Sequence, residues 1–148
     1  MNEGGALPQS LEAERAVLGG LMLAPKECLV VAETLKPDDF YRESHAKLFA
    51  LMVGMAEANQ PVELLSVIER IASSGMAEDV GGLGYVQTLP NNIPSTQNLE
   101  YYATVVSKHA IARRLIEGVQ EIEGQARGGQ SELDELLDFA EKTVFDVT

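Results

Sequence analysis

The chain has 148 residues, 23 acidic against 11 basic side chains and a formal net charge of −12. That length suits one domain with a sizeable core, and the charge repels a phosphate backbone at long range, which disfavours direct nucleic-acid binding by this chain. The lone cysteine excludes an internal disulfide; no apolar run approaches the roughly 20 residues of a membrane span and residues 1–6 lack the parts of a signal peptide, so a reducing cytoplasm is the expected setting.

The first element is announced by LPQSLEAERAVLGGLML, residues 7–23. Ser10 is placed to cap a helix, Glu12 and Glu14 fall in the first turn where the helix dipole favours carboxylates, and Ala13, Ala16, Val17, Gly20 and Leu21 recur at helical spacing. A glycine inside a helix costs about 1 kcal/mol relative to alanine, so Gly20 on the apolar face predicts a close approach by another segment. No Lys-Ser or Lys-Thr follows the glycines, which argues against a phosphate loop.

Ala24-Pro25 breaks the pattern, a short helix is expected near residues 27–35, and Lys36-Pro37-Asp38-Asp39 ends it. Cys28 lies in the apolar run CLVVAETL and reads as a buried, inert thiol. Ser44 is the expected cap of a third helix whose face carries His45, Leu48, Phe49, Met52, Val53 and Ala56. Asn59-Gln60-Pro61 stops it, a fourth helix spans about 63–73 with Gly75 as its stop, and a fifth, short one lies near 83–89.

From about residue 96 to 127 the pattern is helical for some thirty residues, or about 45 Å at 1.5 Å per residue. Leu99, Tyr102, Ala103, Val106 and Ala110 form one stripe, while Ala112, Leu115, Val119, Ile122 and Ala126 form another on nearly the opposite face. The first half therefore packs on the preceding helices and the second half projects beyond them. Gly128-Gly129 turns the chain, and Ser131 is placed to cap a last helix with Leu133, Leu136, Leu137, Ala140, Val144 and Val147 at spacings of three and four.

The fold class is thus all-α: a small helical bundle head over residues 1–110, then an antiparallel helical hairpin over 111–148 for subunit pairing. Two helices cannot dry all of this apolar surface. Self-association through Ile111, Leu115, Ile116, Val119, Ile122, Leu133, Leu136, Leu137, Ala140 and Val144 is the expected outcome, and fold-back of the hairpin onto its own head is the alternative.

Catalytic chemistry finds no support. His45 and His109 lack partners at metal-ligand spacing, His45 reads as a packed core residue, the paired carboxylates lie on faces expected to be wet, and no titratable cluster has an evident reason to be dry. The one basic cluster, Lys108, Arg113 and Arg114 in KHAIARR, is a candidate nucleic-acid contact but lacks interleaved aromatic residues for base stacking; its position at the change of stripe could let its charges pair with acids on a neighbouring chain instead.

Five segments, PQSLEAERAVLGGLM, LKPDDFYRESHAKLFALM, QPVELLSVIERI, VGGLGYVQTL and YYATVVSKHAIARRLI, together resemble the N-terminal domain of bacterial replicative DNA helicases, the DnaB family, over residues 7–148. Glu63 departs from the family's usual Asp after Pro-Val and is a poorer helix cap. The resemblance implies an oligomerisation and partner-docking collar of a hexameric ring, meeting primase and in some cases a helicase loader. It places ATP and magnesium in a later motor domain; the Gly-x-x-x-x-Gly-Lys-Ser/Thr loop of such a motor does not occur here. No catalytic, cofactor or metal residues are therefore expected in this chain. The hairpin's nine acidic and four basic side chains, a net of −5, would steer a basic partner, with Glu121 and Glu123 as candidate primase-steering residues. A free-standing adaptor that mimics the collar and caps or inhibits a helicase is the alternative reading.

Overall fold

A computed structural model describes residues 7–93 and 96–148, and among these the backbone forms α-helices and short 3-10 turns and no strand. Residues 1–6, read above as lacking a signal peptide, lie outside the described residues. Helix α1 spans Leu11–Leu23. Its start follows the sequence expectation: Ser10 Oγ accepts a hydrogen bond from Ala13 N at 3.1 Å, satisfying one of the orphan donors of the first turn. A 3-10 turn at Pro25–Glu27 leads into a single-turn α2, Cys28–Val31, shorter than expected because residues 32–35 close in turns.

After a 3-10 turn at Pro37–Asp39 come α3, Glu43–Glu57, and α4, Leu64–Ser74, which ends on Gly75 in the left-handed conformation. Helix α5, Leu83–Thr88, passes into a 3-10 turn at Leu89–Asn92. Helix α6 then runs for 30 residues, Leu99–Gly128, and α7, Leu133–Phe145, returns antiparallel along its second half.

Helix α1 is the axis of the head. Residues Ala13, Glu14 and Ala16 to Met22 are all buried, and the helix is packed by the turn at Leu89–Asn92, by α6 and by α3. Its glycines make this possible. A Cβ on Gly19 would collide with the backbone carbonyl of Leu89, and one on Gly20 would come within 2.9 Å of Leu99 Cδ1. The close approach is therefore present, but the tighter one is at Gly19 rather than at Gly20, because a carbonyl from the 3-10 turn presses on α1 beside the stripe that helical spacing marks. The remaining core is supplied by Leu48, Phe49 and Met52 of α3, Val67 and Ile71 of α4, Val86 of α5 and Leu99, Ala103 and Val106 of α6.

Two expected caps are replaced. Ser44 lies inside α3, which begins at Glu43 without a side-chain cap of its own; the preceding backbone N–H groups of Tyr41 and Arg42 are taken by Glu14 of α1, at 2.6 and 3.4 Å. Ser131 lies two residues before α7, where Glu132 is the flanking residue and its N–H donates to Glu135 Oε1 at 3.4 Å. Glu63 flanks α4 with no side-chain cap, in keeping with its poor capping chemistry.

Candidate functional site

Three features combine residues that the sequence treats separately. The first lies inside the head. Glu14, 1% exposed, and His45, fully buried, meet at 2.8 Å between Oε1 and Nδ1, and His45 Nε2 lies 2.6 Å from the Tyr85 hydroxyl. In the neutral imidazole, Nδ1–H donates to the carboxylate and Nε2 accepts from the phenol. The chain thus has a dry titratable cluster after all, contrary to the expectation from sequence: Glu14 reads there only as a first-turn carboxylate favoured by the helix dipole, and it is the tertiary fold that brings the start of α3 over it. Its carboxylate is satisfied by two backbone N–H groups and the imidazole, so it acts as a rivet joining α1, α3 and α5. Glu14 and His45 are buried, and only Tyr85 of the group is partly exposed. The packed-core reading of His45 holds.

The second feature is the junction where α6 leaves the head. Arg113 is 8% exposed; its Nη1 donates to Pro8 O and its Nη2 to Asp39 O, each at 2.8 Å, and its guanidinium sits 5.3 Å from the centre of the Tyr41 ring. Arg114 pairs with the Asp39 carboxylate, which also accepts from Lys36 N at 2.8 Å. The expectation that these cations pair with a neighbouring chain is corrected. They lock the 37–41 loop and the chain before α1 onto α6, because the 3-10 turn at Pro37–Asp39 aims a carbonyl and a carboxylate at them. Lys108 stays exposed. Among the described residues no cluster of His, Cys, Asp or Glu could hold a metal ion.

The third feature is the hairpin. Helix α7 packs on α6 where Gly118 lets Thr143 come close, a Cβ on the glycine falling 2.9 Å from Thr143 Cγ2. Ile111, Ile116, Ile122, Leu136 and Ala140 of the expected interface are half-buried in the single chain. Leu115, Val119, Leu133, Leu137 and Val144 are exposed, Leu133 by 67% and Leu137 by 52%. Helix α7 is therefore apolar on two adjoining faces: Leu136, Phe139, Ala140 and Thr143 lie toward α6, and Leu133, Leu137 and Val144 form an open flank. Sequence spacing merged the two faces into one stripe and passed over Phe139 and Phe145, the latter 82% exposed; its place beside Val144 in the last turn was the available signal. Glu121 lines the groove between α6 and α7 with Phe139 and Lys142, and Glu123 accepts from Arg127 Nε at 2.8 Å. No helix among the described residues is long and apolar enough to cross a membrane.

A sequence profile described as the DnaB-like helicase N-terminal domain matches residues 6–108. The chain is 39% identical over 140 residues to the replicative DNA helicase DnaC of Bacillus subtilis and 38% identical over 141 residues to the replicative DNA helicase DnaB of Geobacillus stearothermophilus, in each case over 95% of this chain and 31% of the relative. It thus spans about a third of the length of these helicases. The crystal structure of the N-terminal domain of DnaB helicase from Mycobacterium tuberculosis superimposes with a TM-score of 0.87 at 30% identity, covering 95% of this chain and 99% of that one. A structure of a DnaB-like replicative helicase described with its primase interactions matches with a TM-score of 0.75 over 94% of this chain and 32% of its own, at 22% identity, a likeness of fold.

Proposed function

The chain belongs to the DnaB-like helicase N-terminal domain family, and from that premise we propose that it is the collar of a replicative helicase, pairing with copies of itself through its hairpin and offering that assembled surface to primase or a loader. The observation that carries this reading is the open flank of the hairpin, where Leu115, Val119, Leu133, Leu137, Val144 and Phe145 are all exposed. Apolar side chains gathered on one side of two helices mark an interaction surface, and burying each would stabilise an assembly by roughly 1.5–3 kcal/mol before association entropy is subtracted. A two-fold pairing of hairpins would extend to a ring only when further contacts join the pairs. ATP and magnesium belong, in this reading, to a motor domain elsewhere in the helicase.

Primase docking rests on the same surface and on the hairpin's net charge of −5, which attracts a partner with basic side chains. The test is primase association measured at low salt for the parent and for Glu121→Lys combined with Glu123→Lys. Slower association by the variant, with an unchanged fold, supports the docking role. Equal rates and equal affinity would make both carboxylates bystanders.

A further inference from the structure

A second surface lies on the head, apart from the hairpin. Helix α2 and the first half of α6 enclose a cleft of about 300 Å³. Its floor is apolar, formed by the buried residues Val31, Leu99 and Ala103, and Val30 stands on its lip with 55% exposure. Leu29, next to it in α2, is 46% exposed. Around this floor stand three exposed carboxylates, Glu27, Glu33 and Glu100, and among the described residues none of them has an ion-pair partner. Lys108 is the lining cation, so the acids are in excess. Ala103 lies about 24 Å along α6 from Val119 of the open flank, at 1.5 Å per residue, so the cleft is separate from the surface proposed for pairing.

We propose that this cleft docks a basic amphipathic segment of another protein, seating the aliphatic stem of one arginine on the apolar floor with its guanidinium among the three carboxylates. The chemistry of the cleft selects this occupant. A wholly apolar side chain would strip water from the carboxylates and return no counter-charge. A nucleic acid or an anionic lipid surface brings phosphates against the rim, and a second copy carries a net charge of −12 toward it. Arginine has both parts: a stem that packs on apolar surface and a planar fork of donors that matches carboxylate geometry. The volume, at the low end of ligand pockets, suits one long side chain rather than a helix. The exposed Leu29 and Val30 add apolar area beyond it, so the segment carries an apolar residue beside its arginine, which a free polyamine lacks. Such docking is independent of hairpin pairing, and either can fail alone.

The test is titration of the whole, isotopically labelled chain with a short capped peptide of alternating arginine and leucine, followed by amide resonances at physiological salt, where charges more than about 8 Å apart are largely screened. A peptide of alternating arginine and serine, and spermidine, serve as cationic controls. Amides of Val30, Glu33, Ala103 and Ser107 should shift together and saturably with the arginine–leucine peptide, while those of Leu133 and Leu137 stay still. Glu33→Lys combined with Glu100→Lys should weaken binding by about fivefold or more, and Val30→Ser by a similar factor. Glu121→Lys combined with Glu123→Lys should change it little, and thermal unfolding checks that each variant keeps the parent fold. Controls that bind as tightly as the arginine–leucine peptide, or a hairpin variant that loses as much affinity as the cleft variant, would overturn the site by reducing it to the general pull of an acidic surface. Absence of saturable shifts at the cleft would also overturn it. So would loss of self-association, measured by sedimentation, on Glu33→Lys with Glu100→Lys, because a second copy would then be the occupant.

Discussion

Gly118 of α6 lies directly beneath Thr143 of α7, so close that a Cβ on the glycine would stand 2.9 Å from Thr143 Cγ2. The hairpin is closed by this contact. Substituting valine for Gly118 should drive the helices apart at a cost of about 1–3 kcal/mol to their packing, and Thr143→Ala should restore part of the loss by removing the opposing methyl. Hydrogen exchange checks this: α7 amides should lose protection while those of α1 keep theirs.

The two glycines of α1 should differ. Gly19 faces a backbone carbonyl that has no freedom to retreat, whereas Gly20 faces the end of the Leu99 side chain, which has. Alanine gains about 1 kcal/mol of helix propensity at either site, yet Gly19→Ala should still be net destabilising by about 1–3 kcal/mol. Gly20→Ala should lie near zero. Thermal or denaturant unfolding of the two variants should show this order, and equal effects would mean that the Leu89 turn yields.

The buried Glu14–His45–Tyr85 group gives a graded prediction. Tyr85→Phe leaves His45 Nε2 without its partner and should cost about 1–3 kcal/mol. Glu14→Gln disturbs the imidazole and the N–H groups of Tyr41 and Arg42 at once, so it should cost more than Tyr85→Phe. Denaturant midpoints measured at one pH decide the order.

Cys28 is buried, and desolvation first, then the charge of Glu57, pushes its thiol from 9.0 to about 11. The folded chain should therefore resist thiol-specific reagents at pH 8 and react only on unfolding. Between about pH 9 and 11 the folded state holds this proton while the unfolded chain releases it, so this group makes stability fall as pH rises through that window and contributes nothing below it. Rapid labelling of the native chain at pH 8 would contradict the burial.

Helix positions were legible in the sequence because their boundaries are local: Ser10, Asn59-Gln60-Pro61, Gly75 and Gly129 act on neighbouring backbone. The change of stripe along α6 was legible for the same reason, since helical spacing alone separates Val106 and Ala110, which are buried, from Leu115 and Val119, which are exposed. What could not be read is long-range. Glu14 accepts hydrogen bonds from residues 27 to 31 positions away, and Arg113 reaches Pro8 across 105 positions; a polar residue at a plausible surface position carries no mark of such a partner. Nor does periodicity say which of two adjoining apolar faces of α7 its own chain covers.

The central claim is that the hairpin's open flank is covered by another copy of the chain, and sedimentation over a wide concentration range, comparing the parent with Leu137→Asp and Phe49→Asp, tests it most directly. Leu137 is 52% exposed in the single chain whereas Phe49 is fully buried, so a carboxylate at position 137 stays solvated in the monomer but is stranded without a partner in a paired seam. The account predicts a parent that associates, a Leu137→Asp chain that remains folded and monomeric at the same concentrations, and a Phe49→Asp chain whose head unfolds. A parent that stays monomeric throughout, or a Leu137→Asp chain that associates as the parent does, would contradict it.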